Sequence, residues 1–151
     1  MIQTKISQKI AKYIVSNWND TIHDEKTGNG LLRNIMIREG FSTSEIMCVL
    51  VLNGYKEYDT TELIKKFPQI KTVVINVNNE NTNVVLGKEN RVIYGDGYIT
   101  DTLGEYTFKI SPNSFYQVNP VQTEKIYNLA IEKANLKKDD VVCDYIAELE
   151  L

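Results

Sequence analysis

The chain has 151 residues and a net charge of −3, with 42% hydrophobic and 25% charged residues, a composition that fits one globular domain of ordinary size and excludes a fibrous or wholly disordered chain. No run approaches the roughly 20 apolar residues that cross a bilayer, and the N-terminus lacks the apolar core and small-residue cleavage site of a signal peptide, so a cytoplasmic protein with no membrane partner is expected. The acidic balance argues against a free-standing nucleic-acid binder, while leaving room for RNA contact through a local patch.

Ile2, Ile6, Ile10, Tyr13, Ile14 and Trp18 recur at helical spacing and predict an amphipathic helix over residues 4–17. Residues 19–30 are polar, end in Gly28 and Gly30, and read as a loop; the single histidine, His23, lies there as an exposed loop residue with no partner to make it a base or ligand. Residues 31–39 and 45–52 read as two strands joined by a loop of hairpin length. The second is apolar on both faces and is expected at the centre of its sheet. Asp59-Thr60-Thr61-Glu62 has capping-box spacing and opens a helix that stops at Phe67-Pro68, because proline disfavours helical geometry in the residue before it. Residues 71–78 follow as a third strand, with Val73, Ile75 and Val77 on one face.

Residues 78–83 form a polar cluster that reads as a solvated turn. Short strands are expected at 84–86, 91–94 and 98–101; the Gly95-Asp96-Gly97 turn between the last two has no following helix and makes only a weak phosphate cradle. Residues 105–110 alternate cleanly, Tyr106, Phe108 and Ile110 against Glu105, Thr107 and Lys109, as a half-buried strand does. Asn119 and Pro120 then cap and open a helix with Val121, Ile126, Leu129, Ala130 and Ala134 as its apolar stripe, followed by a last strand through Val141, Val142 and Cys143 to Asp144. Cys48 and Cys143, each in an apolar strand-like run, read as buried reduced thiols rather than as a catalytic thiolate or a metal pair. Lys26, Lys65, Lys66, Lys88 and Arg91 read as scattered solvated cations rather than an RNA patch.

The organisation is therefore α+β, mainly an antiparallel sheet with flanking helices over residues 1–110, then a connector, one helix and one strand over residues 111–151. A strand ending in Asp normally leads into a Gly-rich turn and the rest of a nucleotide-binding sheet; here Asp144 leads into Tyr145-Ile146-Ala147-Glu148, so the chain reads as a fragment of an enzyme. One helix and one strand leave an apolar face uncovered. They are expected to pack on the first domain or on a second copy of the chain, a homodimer formed by exchange of this element being one form. In the connector, Gln117 stands between strand and helix beside Phe115 and Tyr116; it offers an amide next to an aromatic surface, suited to an adenine or amino-acid ligand, or else Phe115 fills the core and Gln117 ties down the loop.

The segment Ser111-Pro112-Asn113-Ser114-Phe115-Tyr116-Gln117-Val118-Asn119-Pro120 closely resembles the entry into the methyltransferase domain of the RNA uracil-5 methyltransferases, which make 5-methyluridine in rRNA or tRNA. Upstream, Gly30-Leu31-Leu32-Arg33-Asn34-Ile35, Glu45 to Val51 and Thr82-Asn83-Val84-Val85-Leu86-Gly87 resemble the central domain of bacterial members in the same order, so the resemblance covers about residues 6–144. It implies a truncated Rossmann-like S-adenosylmethionine-dependent domain after residue 110, Gln117 as a cofactor contact, and an RNA substrate, with 23S rRNA favoured over tRNA. The family's chemistry adds a Cys to carbon 6 of uracil, transfers methyl to carbon 5, and removes the carbon 5 proton with a Glu. Neither cysteine of this chain matches that nucleophile, no catalytic or metal-binding residue is assigned, and neither the N-terminal RNA-binding barrel nor the iron–sulfur cysteines of many members are seen. The chain alone is thus expected to be inactive, the alternatives being a noncatalytic RNA-binding or interaction module and a methyltransferase of another substrate class.

Overall fold

A computed structural model of the chain describes residues 4–117 and 119–143; Asp144, the end of the expected last strand, lies outside the described residues. The first helix, α1 (Lys5–Ser16), is capped by the Thr4 hydroxyl, which accepts from the Ser7 N–H, and buries Ile10 and Ile14. Strands β1 (Leu32–Glu39) and β2 (Ile46–Leu52) pair antiparallel, Glu39 opposite Ile46. The Thr4 hydroxyl also donates to Glu39 at 2.7 Å, fixing the start of α1 to the end of β1.

Helix α2 (Thr61–Lys66) then carries the chain back so that β3 (Ile70–Val77) runs parallel to β2, and β4 (Glu89–Tyr94) closes the sheet antiparallel to β3 in the order β1-β2-β3-β4. Asp59 contributes to the α2 start as an Asx turn, accepting from the Thr61 N–H at 2.9 Å, while the N-cap Thr60 makes no side-chain cap. A separate antiparallel ribbon, β5 (Ile99–Leu103) and β6 (Tyr106–Ile110), precedes α3 (Pro120–Ala134), whose N-cap Asn119 accepts from the Gln122 N–H at 3.2 Å with Pro120 in the first turn. The fold is α+β with a mainly antiparallel sheet; the β2–β3 pair adds one parallel step that residue patterns did not reveal.

All seven residues of β2 are buried, and alternation assigns them to two layers. Ile46, Cys48, Leu50 and Leu52 meet α1, α2, Val73 and Ile75 on one face. Met47, Val49 and Val51 meet Val74, Ile99, Ile110 and Tyr116 on the other. Trp18 closes the edge of the helix layer by stacking on Tyr58, centroids 5.6 Å apart, with its Nε1–H donating to the Thr21 carbonyl.

Four expectations change. Residues 84–86 are irregular, not a strand, because their backbone serves a buried asparagine: Asn78 Nδ2 donates to the carbonyls of Val84 and Val85 at 2.8 and 3.1 Å. Residues 78–83 are also more than a solvated turn, since Arg33 donates to the carbonyls of Asn78 and Glu80. Residues 141–143 form no strand, and no described strand lies beside them; Val141 is 96% exposed and Cys143 is exposed rather than buried. The stripe on α3 is likewise largely uncovered, with Ile126 at 62% and Leu129 at 53% exposure, so it does not pack on the sheet. Among the described residues no helix is long and apolar enough to cross a membrane.

Because Leu50 is fully buried at the centre of β2, Leu50→Ala is expected to cost about 2–5 kcal/mol. Urea unfolding should show this as a lower midpoint at an unchanged slope.

Candidate functional site

The connector from β6 to α3 is irregular in backbone but tightly held. Ser111 and Ser114 bind each other reciprocally: the Ser111 N–H donates to the Ser114 hydroxyl at 3.0 Å, the Ser114 N–H to the Ser111 hydroxyl at 3.2 Å, and the two hydroxyls lie 2.7 Å apart. Pro112 between them is buried. From β1, Arg38 Nη1 donates to the carbonyls of Ser111, Pro112 and Ser114 at 2.7, 3.3 and 2.6 Å. Burial lowers the Arg38 pKa from its ordinary value, but guanidinium stays charged in proteins, so these bonds are charge-assisted.

A second anchor comes from the ribbon. The buried Asp101 carboxylate accepts from the backbone N–H groups of Phe41 and Ser42 at 2.9 and 2.8 Å and from the Tyr116 hydroxyl at 3.1 Å. One carboxylate thus joins the β1–β2 loop, β5 and the connector. Gly40 permits the approach, because a Cβ there would lie 2.6 Å from the Thr100 carbonyl oxygen. Glu45 adds to the joint by accepting from the Thr100 N–H at 2.7 Å. Burial first, then the negative charge of Asp101, pushes the Tyr116 hydroxyl up to about 12. A third tie runs through the amides of Asn76, Asn90 and Asn113, linked at 2.8 and 2.7 Å from β3 through β4 to the connector.

With Tyr116 fixed inward, alternation turns Phe115 and Gln117 outward. Phe115 is 73% exposed, so it does not fill the core, and Gln117 is exposed one position past the anchored tyrosine. The Glu124 carboxylate on α3 accepts from the Gly104 N–H at 2.9 Å, setting the helix start against the β5–β6 turn. The result is an exposed amide two residues from an exposed aromatic ring, on a segment anchored by Arg38 and Asp101; an amide and an aromatic surface are groups that can bind a flat polar ligand.

The remaining candidates lie apart from this segment. His23 is half-buried rather than exposed, its Nδ1 3.4 Å from the Gly30 carbonyl oxygen. The Gly95-Asp96-Gly97 turn has a structural cause: Gly95 has φ of 73°, and a Cβ there would lie 2.1 Å from the Lys71 carbonyl oxygen. Cys48 is buried in the helix layer, where desolvation pushes its thiol up to about 12 and away from nucleophilic use. Lys65 pairs with Glu62, Lys66 lies over Tyr13, and Arg91 pairs with Glu89 and lies over Tyr55. Among the described residues no group of three or more His, Cys, Asp or Glu side chains is placed to hold a metal. Arg38 and Asp101, which hold the segment, escape sequence reading because their partners lie 15 to 76 positions away.

Tyr116 gives a pH dependence of defined sign. Its folded pKa is raised above the unfolded value, so the stabilisation is fully present below about pH 10 and is lost as pH climbs toward 12. Alkaline titration of stability by circular dichroism should show this loss in the wild type and a shallower one in Tyr116→Phe.

No family model matches the chain. The chain is 47% identical over 137 residues to an uncharacterized RNA methyltransferase of Oceanobacillus iheyensis, a match spanning 88% of this chain and 30% of that one. It is 46% identical to one of Clostridium tetani, over 90% of this chain and 30% of that one, and 38% identical to one of Staphylococcus aureus, over 95% and 33%. The chain therefore spans about a third of the length of these curated relatives. Among solved structures it is similar to the Pyrococcus abyssi tRNA (uracil-54, C5)-methyltransferase in complex with S-adenosyl-L-homocysteine, with a TM-score of 0.70 and 25% identity over 82% of this chain and 30% of that one. Sequence likeness along nearly the whole chain and a shared fold agree: over about a third of their length, the chain is similar to these RNA methyltransferases.

Proposed function

We propose that the chain is the part of an S-adenosylmethionine-dependent RNA (uracil-5-)-methyltransferase that joins a central α+β domain, residues 1–110, to the start of the cofactor-binding domain, residues 111–151. The carrying observation is the anchored connector, which presents Gln117 and Phe115 outward while Arg38 and Asp101 fix the backbone behind them. Support for the cofactor comes from the similar Pyrococcus abyssi enzyme, whose complex contains S-adenosyl-L-homocysteine. In this reading Gln117 hydrogen-bonds the cofactor, and RNA, with 23S rRNA favoured, supplies the uracil. The 151-residue chain is itself inactive: Cys48 is buried with a raised pKa, and Cys143 lies in irregular, exposed chain with no assigned role in the chemistry.

Methylation at carbon 5 expels the proton held there, so RNA tritiated at that position reports the reaction directly. The chain alone should release no tritium with S-adenosylmethionine; turnover would overturn its assignment as an inactive part. A protein carrying this segment together with the remainder of its relatives' length should release tritium, and Gln117→Ala there should raise the KM for S-adenosylmethionine about tenfold, the loss of one hydrogen bond of about 1.4 kcal/mol. An unchanged KM would remove Gln117 from the site.

The uncovered apolar residues of α3, including Ile126, Leu129 and Ile131, also favour self-association of the isolated chain. Sedimentation equilibrium should find a dimer whose population rises with concentration, and Ile126→Lys should shift it toward monomer. A strict monomer at high concentration would exclude the homodimer.

A further inference from the structure

The face of the sheet layer formed by α1 and the end of α2 carries a feature that the methyltransferase segment does not use. Lys5, Lys9 and Lys12 recur at four and three residues along α1, and α1 contains no acidic residue. This spacing places them in one row, with successive steps of about 6 and 4.5 Å along the axis. Asn17 after α1 and the C-terminus of α2 complete an open groove of about 550 Å³ lined also by Lys9, Lys12, Tyr13, Ser16, Lys66 and Phe67. Lys66 is held over the Tyr13 ring at 4.6 Å, and that ring stands edge-on to Phe67 with centroids 5.6 Å apart. Among the described residues no carboxylate lies within ion-pair distance of Lys9, Lys12 or Lys66, so their charges are not offset locally.

Three cations thus line one groove in a chain whose net charge is −3. Lys66 covers one face of the Tyr13 ring and Tyr13 and Phe67 meet edge to face, so the groove offers cations and hydroxyls rather than an open stacking platform. Such a surface recognises a run of phosphates and not bases. We propose that this groove is an RNA-backbone binding surface in which Lys9, Lys12 and Lys66 each neutralise a phosphate, holding the strand in a sequence-independent manner. The choice of RNA among polyanions rests on the proposed RNA methyltransferase function; the groove and its chemistry do not.

The test uses the 151-residue chain without cofactor, so it reads binding and not methyl transfer. Fluorescence anisotropy with a labelled single-stranded RNA of mixed sequence should give binding that weakens about 20-fold between about 50 and 200 mM salt, a log–log slope of about −2 for three phosphates. Lys9→Gln/Lys12→Gln should reduce that slope to about −0.7 and weaken binding equally for uridine-rich and uridine-free RNA. Lys26→Gln/Lys137→Gln, an equal loss of charge elsewhere, should leave it unchanged; circular dichroism checks that both variants fold. Equal weakening by the two double variants would reduce the effect to net charge and overturn the proposal. So would the absence of binding at low salt, or binding to phosphatidylserine vesicles in preference to RNA. A longer protein that binds RNA through this groove but fails to release tritium would overturn the proposed function and leave the groove standing.

Discussion

A single strand dictates the arrangement of everything else. β2 is apolar on both faces, and each face must be taken out of water by a different set of elements. The helices α1 and α2 cover one side. The other is covered by Ile99 and Ile110 of the ribbon and by Tyr116 of the connector. The connector is therefore part of the second core layer and not a loose tether, and its outward residues inherit the rigidity of the sheet behind them.

That rigidity rests on charged groups used as structural joints. Asp101 satisfies two loop N–H groups and one phenol, and Arg38 satisfies three carbonyls, so backbone that lies outside any ladder still has its hydrogen-bonding groups met. A buried charge without such partners would be costly, and with them it specifies one geometry for the segment. The asparagine relay from Asn76 through Asn90 to Asn113 does the same without charge. The backbone from Ser111 to Tyr116 is thereby ordered in advance, whatever its outward side chains meet.

Local chemistry made much of this legible. The doubly apolar run at β2, the clean alternation at β6, the isoleucines of α1 and the Asn-Pro start of α3 all announce their structures through neighbours in sequence. Val84 to Leu86 and Val141 to Cys143 misled for a common reason: a short apolar run favours extended chain but becomes a strand only when another strand meets its backbone. At Val84 and Val85 the carbonyls went to Asn78 instead. The joints at Arg38 and Asp101 were silent because a long-range hydrogen bond leaves no periodicity. The motif around Gln117 could be seen as a resemblance, but the fact that Tyr116 faces inward while Phe115 faces out depends on an aspartate fifteen positions earlier.

The two-layer core also determines what a spectroscopic probe can see. Trp18 is the only tryptophan, and its stacking on Tyr58 places it at the edge of the helix layer. Its emission will follow the melting of α1 against the sheet and will be blind to the ribbon and connector on the opposite face. A tryptophan-detected unfolding curve therefore describes the whole molecule only if it coincides with a backbone-detected one, and any gap between them would measure how independently the connector's layer comes apart.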